Sequence, residues 1–419
     1  MKTIRTSFSL RSSYLAVAAT AAALAGASPS PYGVCAHLHR VKNPQERVEE
    51  CHRIEATGIG RVRFDLEWWR IQKGPGEPFD FSHYDAVMAD AEARGLTVLP
   101  IIYVPPKWAK PIWEHLDDWA RYVEASVAHY GDKFPDIEIW NEQNLSYFWG
   151  GNPDPEKYVA VLRAAYEAAK RANPGVRVLF GGVSGVPLDF IEKVYEHGGA
   201  KYFDAMNVHP YSHPRKSEGS LDVQLEKLRA LMAKNGDEKK PVIITEHGWP
   251  TRVADGDESK FADSEENQAR FLARAMAIAF AEGVEQYFWY EFRAPEKVPN
   301  SSEDHFGLTH QNFTPKPAWG AYRNFILARP AGSVQTPGPW HNEVRRFFFP
   351  QWTRPDGTKA GILWTTGQPE KRPLRFDGEK ILFRDYKGRL LAPARMADGE
   401  YIIPLSGDPI YFEGGALAE

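Results

Sequence analysis

Two apolar runs in this chain end in a carboxylate: Ile137-Glu138-Ile139-Trp140-Asn141-Glu142 and Val242-Ile243-Ile244-Thr245-Glu246. β-Branched runs of this kind read as buried strands, and a Glu at the end of one stands at the rim of a sheet. Two such residues on different strands can face a single ligand. Paired carboxylates are what glycosidic bond cleavage requires: one protonates the leaving oxygen and the other works on the opposite face of the sugar ring. In a retaining reaction the second carboxylate attacks carbon and the two groups stand about 5–5.5 Å apart; an inverting reaction needs about 6.5–9.5 Å to admit water.

Bringing the pair together requires strands that run in parallel and end on one face. From about residue 31 to 327, strand-like and helix-like segments alternate. Strands are predicted at 34–37, 61–64, 97–104, 137–141, 176–181, 205–209, 242–246 and 285–290. Between them lie helix signals. Asn43-Pro44-Gln45-Glu46 supplies a cap, a proline for the first turn and an early Glu. Tyr84, Val87, Met88 and Ala91 follow helical spacing, as do Tyr158, Val161, Leu162 and Ala165. Eight strand–helix units predict an α/β fold of the (β/α)₈ TIM barrel type. An open doubly wound sheet would want a Gly-rich turn after its first strand, where this chain has His37-Leu38-His39-Arg40. After Pro330 the pattern changes to short strand-like pieces between turns such as Pro355-Asp356-Gly357 and Lys387-Gly388. The expected organisation is a signal peptide at 1–27, a catalytic barrel at 28–330 and a small C-terminal β-sandwich at 331–419. Structural support is the default role for the sandwich.

In a parallel barrel the working groups collect at the C-terminal ends of the strands. That rule marks the rim positions His37, Arg63 to Asp65, Tyr103, Asn141-Glu142, His209 to Tyr211, Glu246 and Trp289-Tyr290, with His37, Arg63, Tyr103, Asn141, Glu142, His209, Tyr211, Glu246 and Trp289 as candidate site residues. Trp68, Trp149 and Trp249 are candidate platforms for flat sugar faces, or else packing under loops. His213, His247 and His305 fit no metal-ligand spacing, and no H-E-x-x-H is present, so no metal is expected. Gly182-Val183-Ser184-Gly185 lacks the spacing of a serine nucleophile elbow. No cofactor is implied.

Lys2, Arg5 and Arg11 precede an Ala-rich apolar run, and Ala25-Gly26-Ala27 fits a cleavage site. The run is short for a membrane span, so an exported protein, periplasmic or secreted, without stable membrane insertion is expected. Removing three basic residues and no acidic ones leaves 48 Lys+Arg against 55 Asp+Glu, or −7, a balance that argues against nucleic acid as a partner. Cys35 and Cys51 could form a disulfide or stand as two buried thiols. Oligomeric state is left open.

The chain resembles the clan A retaining glycoside hydrolases with (β/α)₈ barrels, closest in flavour to families 39 and 5, including bacterial exopolysaccharide hydrolases. The resemblance covers the barrel. It rests on Trp140-Asn141-Glu142 after strand 4 and Thr245-Glu246 after strand 7. It implies Glu142 as acid/base, Glu246 as nucleophile and Asn141 as a ligand for a sugar hydroxyl. More weakly, it implies that Arg63 keeps the nucleophile ionised, that His209 and Tyr211 stand near it, and that Trp289 forms a floor under the sugar. Gln143 departs from the proline many members carry. The activity expected is retaining O-glycoside hydrolysis of β-linkages in an oligo- or polysaccharide, with carbohydrate as the partner. A non-hydrolytic carbohydrate-binding barrel and a transglycosylase are the alternatives.

Overall fold

Nine parallel strands make the first sheet, in the order β5-β4-β3-β2-β1-β9-β8-β7-β6. The computed structural model describes residues 29–213, 216–251, 264–298, 301–396 and 399–418; the expected signal at 1–27 lies outside them. The strands are β1 (Tyr32–Cys35), β2 (Arg61–Glu67), β3 (Thr97–Tyr103), β4 (Asp136–Ile139) and β5 (Arg177–Leu179). β6 (Val183–Ser184), β7 (Met206–His209), β8 (Val242–His247) and β9 (Val284–Trp289) complete the set. β5 and β6 are two halves of one staggered position. The parallel bridges Leu179↔Ala205 and Asn141↔Gly182 tie that position to both neighbours. The ring therefore closes with eight positions, as a TIM barrel.

Each predicted strand is present with shifted ends. β2 extends three residues past its predicted end because Asp65, Leu66 and Glu67 continue the ladder to Ile101, Ile102 and Tyr103 of β3. Pairing to a buried neighbour outweighs the low strand preference of acidic residues. The predicted caps are also in place. The Asn43 side chain accepts from the Gln45 N–H at the start of the helix Pro44–Thr57, and Asp154 accepts from the Lys157 N–H at the start of Pro155–Ala172.

Alternation along β2 sorts the chemistry. Val62, Phe64 and Leu66 join the apolar layer shared with the surrounding helices. Arg61, Arg63, Asp65 and Glu67 occupy the opposite face of the strand. Near the N-terminal end of the barrel, Arg61 Nη1 bonds Asp136 Oδ2 at 2.6 Å. Leu99, Leu179, Ala205, Ile243 and Phe288 form an apolar plug. A Cβ at Gly33 would stand 2.2 Å from the Phe288 ring, so only glycine lets β1 pass this plug.

From Val334 onward the chain forms two antiparallel sheets. The larger holds Val334–Gln335, Phe347–Phe348, Gln351–Thr353, Lys359–Thr365, Leu382–Asp385, Leu390–Leu391 and Ile410–Glu413. The smaller holds Glu370–Arg375, Ala394–Arg395 and Glu400–Leu405. Phe347, Leu363, Phe376, Phe383, Ile403 and Phe412 fill the space between them, which makes a β-sandwich. The other face of the larger sheet carries Trp352, Trp364 and Tyr411 into the barrel's own core. Trp364 Nε1 donates to Glu218 Oε1 at 2.7 Å, and Tyr386 donates to Glu266 at 2.8 Å.

Candidate active site

Glu142 and Glu246 meet at the C-terminal mouth of the barrel, where they line a cleft of about 930 Å³. β4 ends at Ile139, and Trp140 and Glu142 then adopt left-handed backbone conformations, φ 76° and 47°. Such conformations cost a non-glycine residue about 1–3 kcal/mol each and persist where the surroundings hold them. Here the Glu142 N–H bonds the Gly182 carbonyl at 2.8 Å, and Trp140 is buried among aromatic rings. The turn brings Glu142 to the cleft. Gln143 is fully buried and donates its amide to the Gly181 carbonyl at 2.8 Å, fixing the loop through a side chain.

Arg63 organises the opposite wall. Its Nε and Nη2 grip both oxygens of Glu138 at 2.7 and 2.9 Å, and Nη1 reaches Glu246 Oε1 at 2.6 Å. Nη2 also donates to Asn141 Oδ1 at 2.9 Å. With its oxygen taken, Asn141 has its NH₂ left to donate to a ligand. Glu138 is fully buried and also accepts from the Gly182 N–H at 3.0 Å. Burial opposes its ionised form, but Arg63 and His209 outweigh that and hold its pKa down at about 2. For Glu246, burial again opposes the charge, and His209 and Arg63 overcome it, so its carboxyl sits below the ordinary value. Tyr211 donates its hydroxyl to Glu246 Oε2 at 3.0 Å; burial pushes the phenol pKa well up and keeps that proton in place.

His209 lies between the two carboxylates. Nδ1 is 3.1 Å from Glu142 Oε1 and 3.7 Å from Glu246 Oε2. Nε2 is 2.9 Å from Thr245 Oγ1, whose hydroxyl proton is directed to Asn207 Oδ1 at 3.0 Å. Each ring nitrogen therefore has an acceptor within reach, which suits the imidazolium; Arg63 Nη2, 3.4 Å from Nε2, opposes it. Burial alone would lower its pKa; Glu246, Glu138 and Glu142 together raise it to about 9. A Cβ at Gly182 would fall 2.0 Å from His209 Nε2, so the ring occupies space that only glycine leaves. The raised pKa sets a sign. The stabilisation is complete below the unfolded value of about 6.5 and is lost as pH rises through about 9. Urea unfolding of the native protein is thus expected to show stability falling between about pH 6.5 and 9, with the His209→Asn variant flatter across that window.

The structure brings Arg63, Tyr103, Asn141, Glu142, Tyr211 and Glu246 into the cleft lining, with His37 at one end. Tyr103 donates to the Phe148 carbonyl at 3.0 Å, and His37 sits 3.4 Å from Glu291. His209 is fully buried just beneath the lining, where it holds both carboxylates. Three expected platforms are corrected. Trp249 and Trp289 are 0% exposed and Trp149 is 3% exposed, so none can meet a ligand. Trp289 lies under the Phe306 carbonyl, to which its Nε1 donates at 3.2 Å, and Trp249 packs on His247 and Phe271. Trp149 turns inward onto Trp113 and Trp140. Trp68 is buried as well. Their neighbours line the cleft instead: Tyr290 beside Trp289, and Tyr147 and Phe148 beside Trp149, together with Phe306. Asp65, Glu67, His213 and Glu303 also line it; of these, Glu67 and Glu303 were passed over by sequence reasoning.

Glu142, His209 and Glu246 bring ligand-type atoms within 4.8 Å of one another, as do His39, Asp65 and Glu67. Both groups already have cationic partners. Arg63 and His209 serve the first, and the Arg40 guanidinium donates to Asp65 and, at 3.1 Å, to His39 Nε2 in the second. Cys35 and Cys51 are buried free thiols; the Cys35 thiol donates to the Thr245 carbonyl of β8 at 3.2 Å. No helix among the described residues is long and apolar enough to cross a membrane.

No family model and no curated protein matches the chain. Solved structures do. A family 39 glycoside hydrolase from the gut symbiont Bacteroides cellulosilyticus WH2 superposes with a TM-score of 0.78 and 22% identity, over 92% of this chain and 81% of that one. A family 39 β-xylosidase from Caulobacter crescentus gives 0.66 and 15%, over 94% and 98%. A family 39 enzyme from Xanthomonas axonopodis pv. citri gives 0.66 and 14%, over 93% and 95%. The likeness to the family 39 fold thus spans the barrel and the sandwich alike.

Proposed function

We propose that this protein is a retaining O-glycoside hydrolase that cleaves β-glycosidic bonds of an oligo- or polysaccharide by double displacement. One observation carries the reading: carboxylate oxygens of Glu142 and Glu246 lie within 4.8 Å of each other, at the floor of an open cleft. An oxygen-to-oxygen approach this short favours direct attack on carbon over an intervening water. In the first step a Glu246 oxygen bonds to the anomeric carbon as the glycosidic C–O bond breaks. Glu142 transfers its proton to the departing oxygen. The Glu142 oxygen that faces His209 accepts a hydrogen bond, and its partner oxygen is left to carry the proton. Esterification removes the charge of Glu246. Glu142, now a carboxylate, takes a proton from water as that water attacks the anomeric carbon and releases Glu246. Asn141 is placed to donate to a sugar hydroxyl beside the reacting carbon. Tyr290 is placed as the ring under the sugar. The basic and apolar segment at 1–27 fits an exported enzyme. Residues 28–330 would form the catalytic unit, with the sandwich as its brace.

A panel of 2-deoxy-2-fluoroglycosyl fluorides tests the ester. The fluorine slows the second step, so one of these compounds should label a single peptide, at Glu246, found by mass spectrometry. Glycan turnover with inversion at the anomeric centre, and no label with any of them, would overturn the double displacement.

A further inference from the structure

Behind His37 the cleft leads to a second chamber of about 380 Å³. Cys35, His37 and Arg40 are walls of both spaces. The chamber lies between the first turns of the helix Pro44–Thr57, which contribute Glu46 and Glu50, and the segment after β9, which contributes Glu291 and Arg293. Its size falls in the roughly 300–1,000 Å³ range of small-ligand sites.

Two of its carboxyl groups are buried. Glu50 is 2% exposed and Glu291 3%. Glu291 Oε1 has no hydrogen-bond partner, and neither has His37 Nδ1. Buried polar atoms left unmatched are costly, so their presence beside a cleft calls for a ligand that matches them. Arg293 is already ion-paired to Glu46 and, at 3.0 Å, to Glu50. The Arg293 guanidinium is therefore spent, and the exposed part of the wall carries Arg40, Lys42 and Lys297. Burial pushes the Glu291 carboxyl well above the ordinary range, and Glu50 to about 7, so a neutral Glu291 both donates and accepts. A wall of mixed donors and acceptors matches hydroxyl groups.

The position in the barrel fixes which part of a glycan reaches this chamber. It opens beside β1 and β9, whereas Glu142 follows β4 across the ring. The proton donor faces the leaving group, so the leaving part of the chain extends over Glu142 and the retained part extends toward β1 and β9. Building on the hydrolase reading, we propose that the chamber behind His37 binds a pyranose unit of the substrate. That unit is the next one along from the sugar attacked by Glu246, on the side that is not released by the first bond cleavage. The substrate is accordingly a chain with at least two sugars on that side, and the enzyme does not trim single terminal units.

Nitrophenyl β-glycosides of one, two and three glucose, xylose or mannose units test this directly. The aryl group takes the leaving side, so each added sugar extends only toward the chamber. In the native enzyme kcat/KM is expected to rise at least about tenfold from one unit to two in the series it accepts. Glu291→Leu should erase that rise. Val41→Trp, which fills the chamber from a half-buried position at its mouth, should do the same while leaving the buried carboxyls in place. Equal kcat/KM for one and two units, or a rise that survives in a folded Val41→Trp variant, would overturn the assignment. If no glycoside releases nitrophenol, the hydrolase reading is what has failed. Calorimetric titration with the unlabelled trisaccharides then decides the chamber: about tenfold weaker binding to Val41→Trp supports it, and unchanged or absent binding overturns it.

Discussion

Exchange of Glu246 for Gln is expected to lower kcat/KM on an activated aryl β-glycoside by at least about 10⁴-fold, the scale of losing the nucleophile of a covalent mechanism. The amide keeps the shape and can still bond Arg63 and Tyr211, so folding should persist. Glu142→Ala behaves differently. A dinitrophenolate leaves without help from a proton, so the ester on Glu246 still forms, but water then lacks a base and the ester accumulates. Azide needs no base. It should restore turnover of Glu142→Ala and give a β-glycosyl azide, because two inversions restore the configuration. In Glu246→Ala, azide attacks in place of the carboxylate and should give the α-glycosyl azide. Product stereochemistry read by NMR thus separates the two roles. An α-azide from the Glu142→Ala variant would exchange the assignments.

The same residues show what a linear reading can recover. Glu142 and Glu246 are conspicuous because each ends an apolar β-branched run, and eight such runs with capped helices between them define the barrel. Facing is harder. Residue type and neighbourhood leave Trp149 and Trp249 open between platform and packing, and resemblance makes Trp289 a floor, yet all three are buried, and Tyr147, Phe148 and Tyr290 line the cleft beside two of them. One position along a strand or short helix decides which ring meets solvent, and packing under the loops sets that position. Glu138 was missed for another reason. It sits inside an apolar run, and its partner Arg63 lies 75 residues away in the chain. Glu67 was outside the predicted second strand, which pairing with β3 extends.

Arg63→Lys carries the second large effect. One guanidinium makes three separate attachments: both oxygens of Glu138, Glu246 Oε1 and Asn141 Oδ1. An ammonium is a point donor and cannot hold a carboxylate by two parallel bonds while reaching two further groups. Lysine should keep part of the charge balance and lose the geometry, with a fall in kcat/KM of about 10²–10³-fold from misplacement of the nucleophile and Asn141. Arg63→Met removes the charge as well. It leaves Glu138 fully buried beside Glu246 with His209 as the remaining cation, and breaking a buried pair in this way costs about 3–5 kcal/mol of folding stability. The pH profile distinguishes this role from a merely structural one. Arg63 is among the groups that hold Glu246 below its ordinary value, so weakening the contact moves that pKa up. The acid limb of kcat/KM, which reports ionisation of the nucleophile in the free enzyme, should therefore shift to higher pH in the Lys variant. A variant that loses activity with its acid limb unmoved would show that Arg63 supports the barrel without setting the charge of Glu246.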